Sequence, residues 1–280
     1  MKLALIAGNR RLPLLFAASV QKHNPKLELV IVAFKGETDP RLSRFSKKTY
    51  WFKVGRLEEI ISVLKQERIN EAVMIGQISP WRLFASRRYW DRKMFEVYKE
   101  VDDFRPHSIF SRVIEEIERE GIKFISSASY LEDYLAEEGV GGGEVILDKV
   151  KKDIEIGFNL GRQIVDFDVG QTLIVKNRAV VAVEALEGTD NTIKRAARIC
   201  GEGFSMVKLS RHGHDVRFDL PVIGIDTIKL LARKKAAAVV LEAGKVIIID
   251  KPKVLSLARR WGITVVGLRR ESEIKDLFRS

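Results

Sequence analysis

Met1-Lys2-Leu3-Ala4-Leu5-Ile6-Ala7-Gly8-Asn9-Arg10-Arg11-Leu12-Pro13 decides the fold. Leu3 to Ala7 form an unbroken apolar run, the right length for a buried first strand and too short for a membrane span or the apolar core of a signal peptide. Gly8 and the Asn9-Arg10-Arg11 triplet end the run. Pro13 then suits the first turn of a helix, where its missing N–H is not needed. Strand, loop and helix in that order make one βα unit.

The same alternation continues along the 280 residues. Strands are expected at 27–34, 49–54, 71–75 and 122–126. Helices are expected at 13–22, 57–67, 81–100 and 107–120, with a short one near 130–138. Further on, helices are expected at 148–165, 190–200, 225–234 and 252–261. Strands are expected at 172–176, 179–183, 205–209, 237–241, 245–250 and 263–268. Asn177-Arg178 reads as a tight turn, and the strands at 237–241 and 245–250 as joined near Gly244. Apolar runs alternating with amphipathic segments specify an α/β protein with largely parallel sheets. Gly139-Val140-Gly141-Gly142-Gly143 has four glycines in five residues and reads as a linker. The expected division is an α/β domain at 1–138, a linker at 139–147 and a second α/β domain at 148–280, two domains being ordinary for this length.

Composition narrows the function classes. The chain is 46% hydrophobic, enough for a sizeable core. Its one cysteine, Cys200, excludes an internal disulfide framework and a cysteine-based metal cluster. No apolar stretch approaches the roughly 20 residues of a spanning helix, so the expectation is a soluble, cytoplasmic protein. The net charge is +11, and residues 1–125 hold +8 of it, 24 Lys and Arg against 16 Asp and Glu. That excess suits an anionic partner or a solvated lysine-rich surface. No recognised RNA or DNA motif accompanies it, so no nucleic acid partner is expected.

Four stretches hold polar groups where chemistry is done. In Gly8-Asn9-Arg10-Arg11 a loop and a helix N-terminus suit a phosphate, though an ordinary βα turn accounts for it equally; neither GxGxxG nor Walker A is present. In Glu184-Ala185-Leu186-Glu187-Gly188-Thr189-Asp190, Thr189 and Asp190 suit a helix N-cap, which leaves Glu184 and Glu187 to hold Mg²⁺ or position a water. The third stretch runs from Lys208 to Pro221. If 214–220 is extended, Asp215, Arg217 and Asp219 share one face, catalytic or merely solvated. Four residues of strand span about 13 Å, so Asp215 and Asp219 do not both ligate one ion unless the chain bends. His212 and His214 lack further histidines for a zinc site. The fourth, 80–95, interleaves Trp81, Phe84, Tyr89, Trp90, Met94 and Phe95 with Arg82, Arg87, Arg88, Arg92 and Lys93. It reads as a packed amphipathic helix, a membrane or acyl-chain contact, or a nucleic-acid surface.

Taken together, the chain resembles the LpxI-type UDP-2,3-diacylglucosamine pyrophosphatases. The resemblance is carried by Asp168-Val169-Gly170-Gln171-Thr172, by Ala182 through Asp190, by Asp215 through Gly224, and by Val240-Leu241-Glu242-Ala243-Gly244. The opening loop from Ala7 to Pro13 and Asp102-Asp103 match more loosely. Where the family has Pro-x-Gln before its aspartate, this chain has His212-Gly213-His214, and Val101 stands where a glycine is usual. The resemblance implies an enzyme of lipid A synthesis that cleaves the substrate's pyrophosphate with water, giving UMP and lipid X. It further implies a site in the cleft between the two domains, a divalent cation, typically Mg²⁺, and a homodimer. On this reading Asp215, Glu187 and Asp190 are catalytic, with Asp215 and Asp190 toward the metal. Gly8, Asn9, Arg10, Asp103, Gly188, Thr189, Lys208, Arg217 and Asp219 contact the lipid-linked UDP-sugar. The aromatic-basic helix near Trp81 would face the acyl chains and the inner membrane surface. The alternative is a non-catalytic relative that binds a nucleotide-sugar or a lipid.

Overall fold

The computed structural model describes residues 1–79, 82, 85–101, 106–126, 128–142, 148–211 and 220–269, apart from the side chains of 106, 107 and 149. These residues divide into two compact units, Met1–Leu131 and the described residues from Glu132 onward. In the first unit, β1 (Lys2–Ala7), β2 (Glu28–Phe34), β3 (Lys48–Phe52), β4 (Glu71–Ile75) and β5 (Lys123–Phe124) form a parallel sheet in the order β3-β2-β1-β4-β5. Helices α1 (Leu12–His23), α2 (Leu57–Gln66), α3 (Arg92–Lys99) and α4 (Pro106–Arg119) accompany them. Ala4, Ile6, Val30 and Val32 join one core cluster with residues of α2, α3 and α4. Leu3, Leu5 and Ile31, on the opposite face by strand alternation, are buried too. Burial on both faces is why these strands read as continuous apolar runs.

The second unit holds a six-stranded sheet, β6-β13-β11-β9-β7-β8. Its strands are β6 (Gly139–Gly142), β7 (Thr172–Lys176), β8 (Ala179–Val183), β9 (Ser205–Lys208), β11 (Ala238–Glu242) and β13 (Thr264–Leu268). β9, β11 and β13 run parallel, while β6 and β7 pair antiparallel with their neighbours. The sheet is therefore mixed, less parallel than the alternation implies. A separate parallel pair joins β10 (Val222–Ile223) to β12 (Ile247–Ile248). Helix α5 (Asp148–Asp166) shares a core with Leu173, Val175, Val207 and Val240. Helices α6 (Thr189–Cys200), α7 (Ile225–Arg233) and α8 (Lys251–Arg260) share the other core with Ile174, Met206, Val239 and Leu241. Alternation along β7, β9 and β11 thus sorts side chains between two helical layers.

Three expectations need correction. The glycine run is not wholly a linker: Gly139–Gly142 is β6, an edge strand antiparallel to β13. The small residues let α8 lie close, with Leu255 against Gly141 and Gly142; residues 143–147 lie outside the described residues. The helix expected over 81–100 is broken. Arg87–Tyr89 is a 3-10 turn, and α3 starts only after Asp91, whose carboxylate accepts from the Met94 N–H at 2.9 Å as an N-cap. The strand expected at 245–250 is shorter: only Ile247–Ile248 is β12, which pairs parallel with β10, and Ile247 also bridges Leu135.

The amino edge of the first sheet is fastened by Glu67, which is buried and accepts from Lys48 Nζ at 2.6 Å, Tyr50 Oη at 2.7 Å and Lys2 Nζ at 3.0 Å. Those donors, Lys48 foremost, hold its carboxyl down at about 2. A depressed carboxylate adds stability above its unfolded pKa, near 4.5, and loses it as pH falls toward 2. Glu67→Gln is therefore expected to flatten the acid dependence of the first unit's stability between those limits. Hydrogen exchange of β1 and β3 from pH 5 to 2 checks it: equal acid sensitivity in variant and parent would defeat the assignment.

Candidate active site

The polar residues of the second unit collect at one edge of its sheet. Antiparallel pairing places Thr172, the first residue of β7, directly opposite Lys208, the last of β9. The backbone continues from β8 to Glu184, whose N–H donates to the Thr172 carbonyl at 2.8 Å. Lys208 is almost fully buried and donates to Thr189 Oγ1 at 2.9 Å and to Thr172 Oγ1 at 3.0 Å. Thr189 Oγ1 donates to Glu184 Oε1 at 2.9 Å. Glu184 Oε2 lies 3.6 Å from Lys208 Nζ, and this buried oxygen has no hydrogen-bond partner among the described residues. A burial that isolated either charge would be costly, so Lys208 and Glu184 depend on one another.

Thr189 also begins α6. Its predecessor Gly188 is the N-cap at φ 77°, a conformation in which a side chain would be strained, and no neighbouring atom fills the space a Cβ would take. A helix N-terminus with open space before it, beside a lysine, is an arrangement that attracts phosphate. It stands at the carboxyl end of β9, the usual ligand edge of parallel strands.

The exit of β9 is clamped. Glu242, buried at the end of β11, accepts from the Ser210 N–H at 2.8 Å and pairs with Arg162 at 2.5 Å and Lys245 at 2.8 Å. Arg162 donates in turn to the Ser210 carbonyl at 3.3 Å. Arg211 pairs with Asp168 at 3.0 Å. Both polar groups of the Ser210 backbone and the following side chain are thus fixed where the chain departs toward Asp215.

The other expected residues fall in different places. Glu187 is committed: Arg195 at 2.5 Å, the Ala185 N–H at 3.2 Å and Thr192 at 3.3 Å all engage its carboxylate. Arg195 chiefly holds its pKa below the ordinary range. Its geometry orders the loop before α6. Asp190 is exposed in the first turn of α6. Asp103, His212, His214, Asp215, Arg217 and Asp219 lie outside the described residues. Among the described residues no group of three or more His, Cys, Asp or Glu is placed to hold a metal ion.

In the first unit, the loops after β1 and β4 meet between the two strands, where the topology of the sheet reverses direction. Gly8 donates to the Ile75 carbonyl at 2.8 Å, and a Cβ on Gly8 would stand 2.5 Å from the Gln77 oxygen, so this glycine answers to backbone packing. Asn9 donates to Glu37 at 2.6 Å and to Ser79 at 3.3 Å. Arg82 Nε lies 3.0 Å from the other Glu37 oxygen, at ion-pair distance without hydrogen-bond alignment. Arg10 is exposed at φ 68°. Of the aromatic stretch, Trp90 and Met94 are buried in the unit's own core and Phe95 packs against it, while Trp81 and Phe84 lie outside the described residues. Tyr89 and Phe95 remain partly exposed.

Glu242, Arg162, Glu37 and Thr172 were absent from the expected site. Glu242 and Glu37 each carry one signal in the sequence, an acid just after an apolar strand. Arg162 carries none, because nothing local distinguishes it from other helix arginines.

Two family models match. The LpxI N-terminal domain covers residues 2–134 and the LpxI C-terminal domain covers 137–266. A curated relative, the UDP-2,3-diacylglucosamine pyrophosphatase LpxI of Caulobacter vibrioides (strain ATCC 19089 / CIP 103742 / CB 15), is 27% identical over 282 residues, covering 95% of this chain and 97% of that protein. Among solved structures, the biotin carboxylase subunit of pyruvate carboxylase is similar at TM-score 0.27 and 11% identity, over 70% of this chain and 41% of that one. A UDP-N-acetylglucosamine 2-epimerase is similar at TM-score 0.26 and 12% identity, over 99% and 90%. Likenesses at these scores carry no weight. With both domain models in order along its length, the chain belongs to the LpxI family.

Proposed function

We propose that the chain hydrolyses the pyrophosphate of UDP-2,3-diacylglucosamine to UMP and 2,3-diacylglucosamine 1-phosphate, lipid X, in lipid A synthesis. The observation that supports this most directly is the convergence of Lys208, Thr189 at the start of α6 and Glu184 at one sheet edge. A pyrophosphate diester carries two negative charges, and more charge gathers on the departing phosphate as the bridge breaks. Fixed cationic donors and a helix N-terminus aimed at that charge lower the barrier. Lys208 and the N–H groups that follow Gly188 are assigned to hold phosphate oxygens. Asp215, beyond the clamped exit of β9, is assigned to the water or the metal, and Arg217 and Asp219 to the substrate. Glu187 acts by shaping the loop, and Gly8, Asn9, Arg10 and Asp103 are assigned to the first unit's share of the substrate.

A divalent cation, Mg²⁺ by expectation, belongs to this reading. When bound it neutralises phosphate charge, and Asp215 and Asp190 are the carboxylates that would hold it. The reading also carries a cytoplasmic location with peripheral contact at the inner membrane surface, and a homodimer. Among the described residues, no helix is long and apolar enough to cross a membrane.

The test is UMP release from UDP-2,3-diacylglucosamine in Mg²⁺ and in EDTA. Release in Mg²⁺ that EDTA abolishes is expected. Tight binding of the lipid or of UMP by folded protein without turnover would replace the hydrolase with a binding relative, His212 to His214 being the first residues to restore to Pro-x-Gln.

A further inference from the structure

The reaction chemistry leaves the outer face of one helical layer of the second unit unused. Helices α6, α7 and α8 together carry nine Lys and Arg against two Asp, whereas α5, in the other layer, carries four of each sign. Both of those aspartates, Asp190 and Asp226, sit in first turns, so beyond them the three helices hold no acid. Lys194, Arg198, Leu230, Arg233 and Lys234 line a groove between α6 and α7, and Lys229, Ala232, Arg233 and Trp261 line a second one beside it. Helix dipoles draw cations to last turns, which accounts for Arg198, Arg233, Arg259 and Arg260. Lys194 and Lys229 lie in mid-helix, where that attraction does not reach. Among the described residues none of Lys194, Arg198, Lys229 and Arg233 pairs with a carboxylate: Lys194 donates to Asn191 at 3.3 Å and Arg233 to the Lys229 carbonyl at 3.4 Å. Like charges gathered this way repel one another until an anion covers them.

We propose that this face docks the second unit onto an anionic membrane surface, an inference that deepens the function proposed above and rests on it, since a substrate with two acyl chains resides in a membrane. Three neighbouring helices spread the charge over about 20 Å, the breadth of several lipid headgroups. Trp261, exposed beside Lys229 and Arg233, has an apolar body and a polar edge, as do the side chains that settle at a membrane interface. A nucleic acid fits less well, because bases need a row of aromatic rings and α6, α7 and α8 contain none. Helix α6 links the face to the site. Thr189 at its start belongs to the site, while Lys194 and Arg198 follow about 8 and 14 Å along the axis. A membrane against this face therefore lies within one helix length of the proposed phosphate contacts.

Sedimentation with vesicles of phosphatidylcholine and about one-third phosphatidylglycerol tests this without turnover. The chain is expected to bind them in about 0.1 M salt, to leave them in about 1 M salt and to ignore pure phosphatidylcholine, because screening shortens the reach of charge from about 10 Å to about 3 Å. Each cation near such a surface contributes about fivefold to binding. Lys194→Gln, Arg198→Gln, Lys229→Gln and Arg233→Gln together should therefore weaken it at least about fiftyfold. Lys26→Gln, Arg88→Gln, Arg92→Gln and Lys152→Gln remove the same charge elsewhere and should weaken it less than about threefold. Trp261→Phe should remove the part of the emission that brominated phosphatidylcholine in the mixed vesicles quenches. Equal losses in the two quadruple variants overturn the proposal, as does binding that ignores the first of them. Binding of poly(U), but not of vesicles, through the same four residues replaces the membrane with nucleic acid. A chain that hydrolyses detergent-dispersed substrate yet ignores vesicles refutes the docking face alone. One that binds vesicles through this face and hydrolyses nothing refutes the function alone.

Discussion

Lys208→Met is expected to lower UMP release by about 10²–10³-fold, the usual consequence of removing one fixed donor from a developing anion. The ammonium is held by two threonine hydroxyls, at 2.9 and 3.0 Å, and by Glu184 at 3.6 Å. Held that way it needs no reorganisation when charge moves onto phosphate. Methionine keeps the stem of the side chain and loses the charge. The single variant also leaves Glu184 buried without its cation, which by itself can cost about 3–5 kcal/mol of stability. Lys208→Met with Glu184→Gln removes both charges and separates the two effects. If Lys208 serves phosphate, the double variant regains the parent's urea midpoint and stays inactive. If Lys208 serves only to balance Glu184, the double variant regains activity along with stability. Thermal or urea unfolding together with UMP release reads both.

The same pair shows what the sequence discloses and what it withholds. Strands such as Glu71–Ile75 are legible because a sheet covered on both faces demands unbroken apolar runs, and the turn at Asn177-Arg178 because both residues must take positive φ, observed at 51° and 66°. The glycine run misleads because glycine serves two purposes, loose connection and close packing, and composition does not distinguish them. The helix expected over 81–100 fails at Trp90-Asp91 because amphipathic spacing continues on both sides of a cap. In the site, Gly188, Thr189 and Lys208 are legible as the end of one strand and the start of a helix. Their meeting is not, since it depends on β7 pairing antiparallel with β9, a choice made over 36 residues of separation. Glu242 and Arg162 are distant for the same reason: a buried pair formed between a strand end and a helix middle leaves no local pattern.

Asp215→Ala is expected to abolish hydrolysis, by at least about 10³-fold, with the fold intact. The clamp upstream of Asp215 is the reason. Ser210 is fixed through both backbone polar groups by Glu242 and Arg162, and Arg211 by Asp168. Rigid anchoring just upstream of a carboxylate makes sense where its placement matters, because positioning errors of an ångström are costly in phosphoryl transfer. Asp215→Asn keeps the shape and removes the charge, and it distinguishes two roles. If Asp215 holds the cation, raising Mg²⁺ should partly rescue the asparagine variant, and its half-saturating Mg²⁺ should rise. If Asp215 takes the proton of the attacking water, Mg²⁺ gives no rescue, and the acidic limb of the pH profile disappears because no carboxylate remains to protonate. A fully active Asp215→Ala would refute the assignment of the site, and would leave Lys208 and the N-terminus of α6 as a phosphate-binding platform served by some other base.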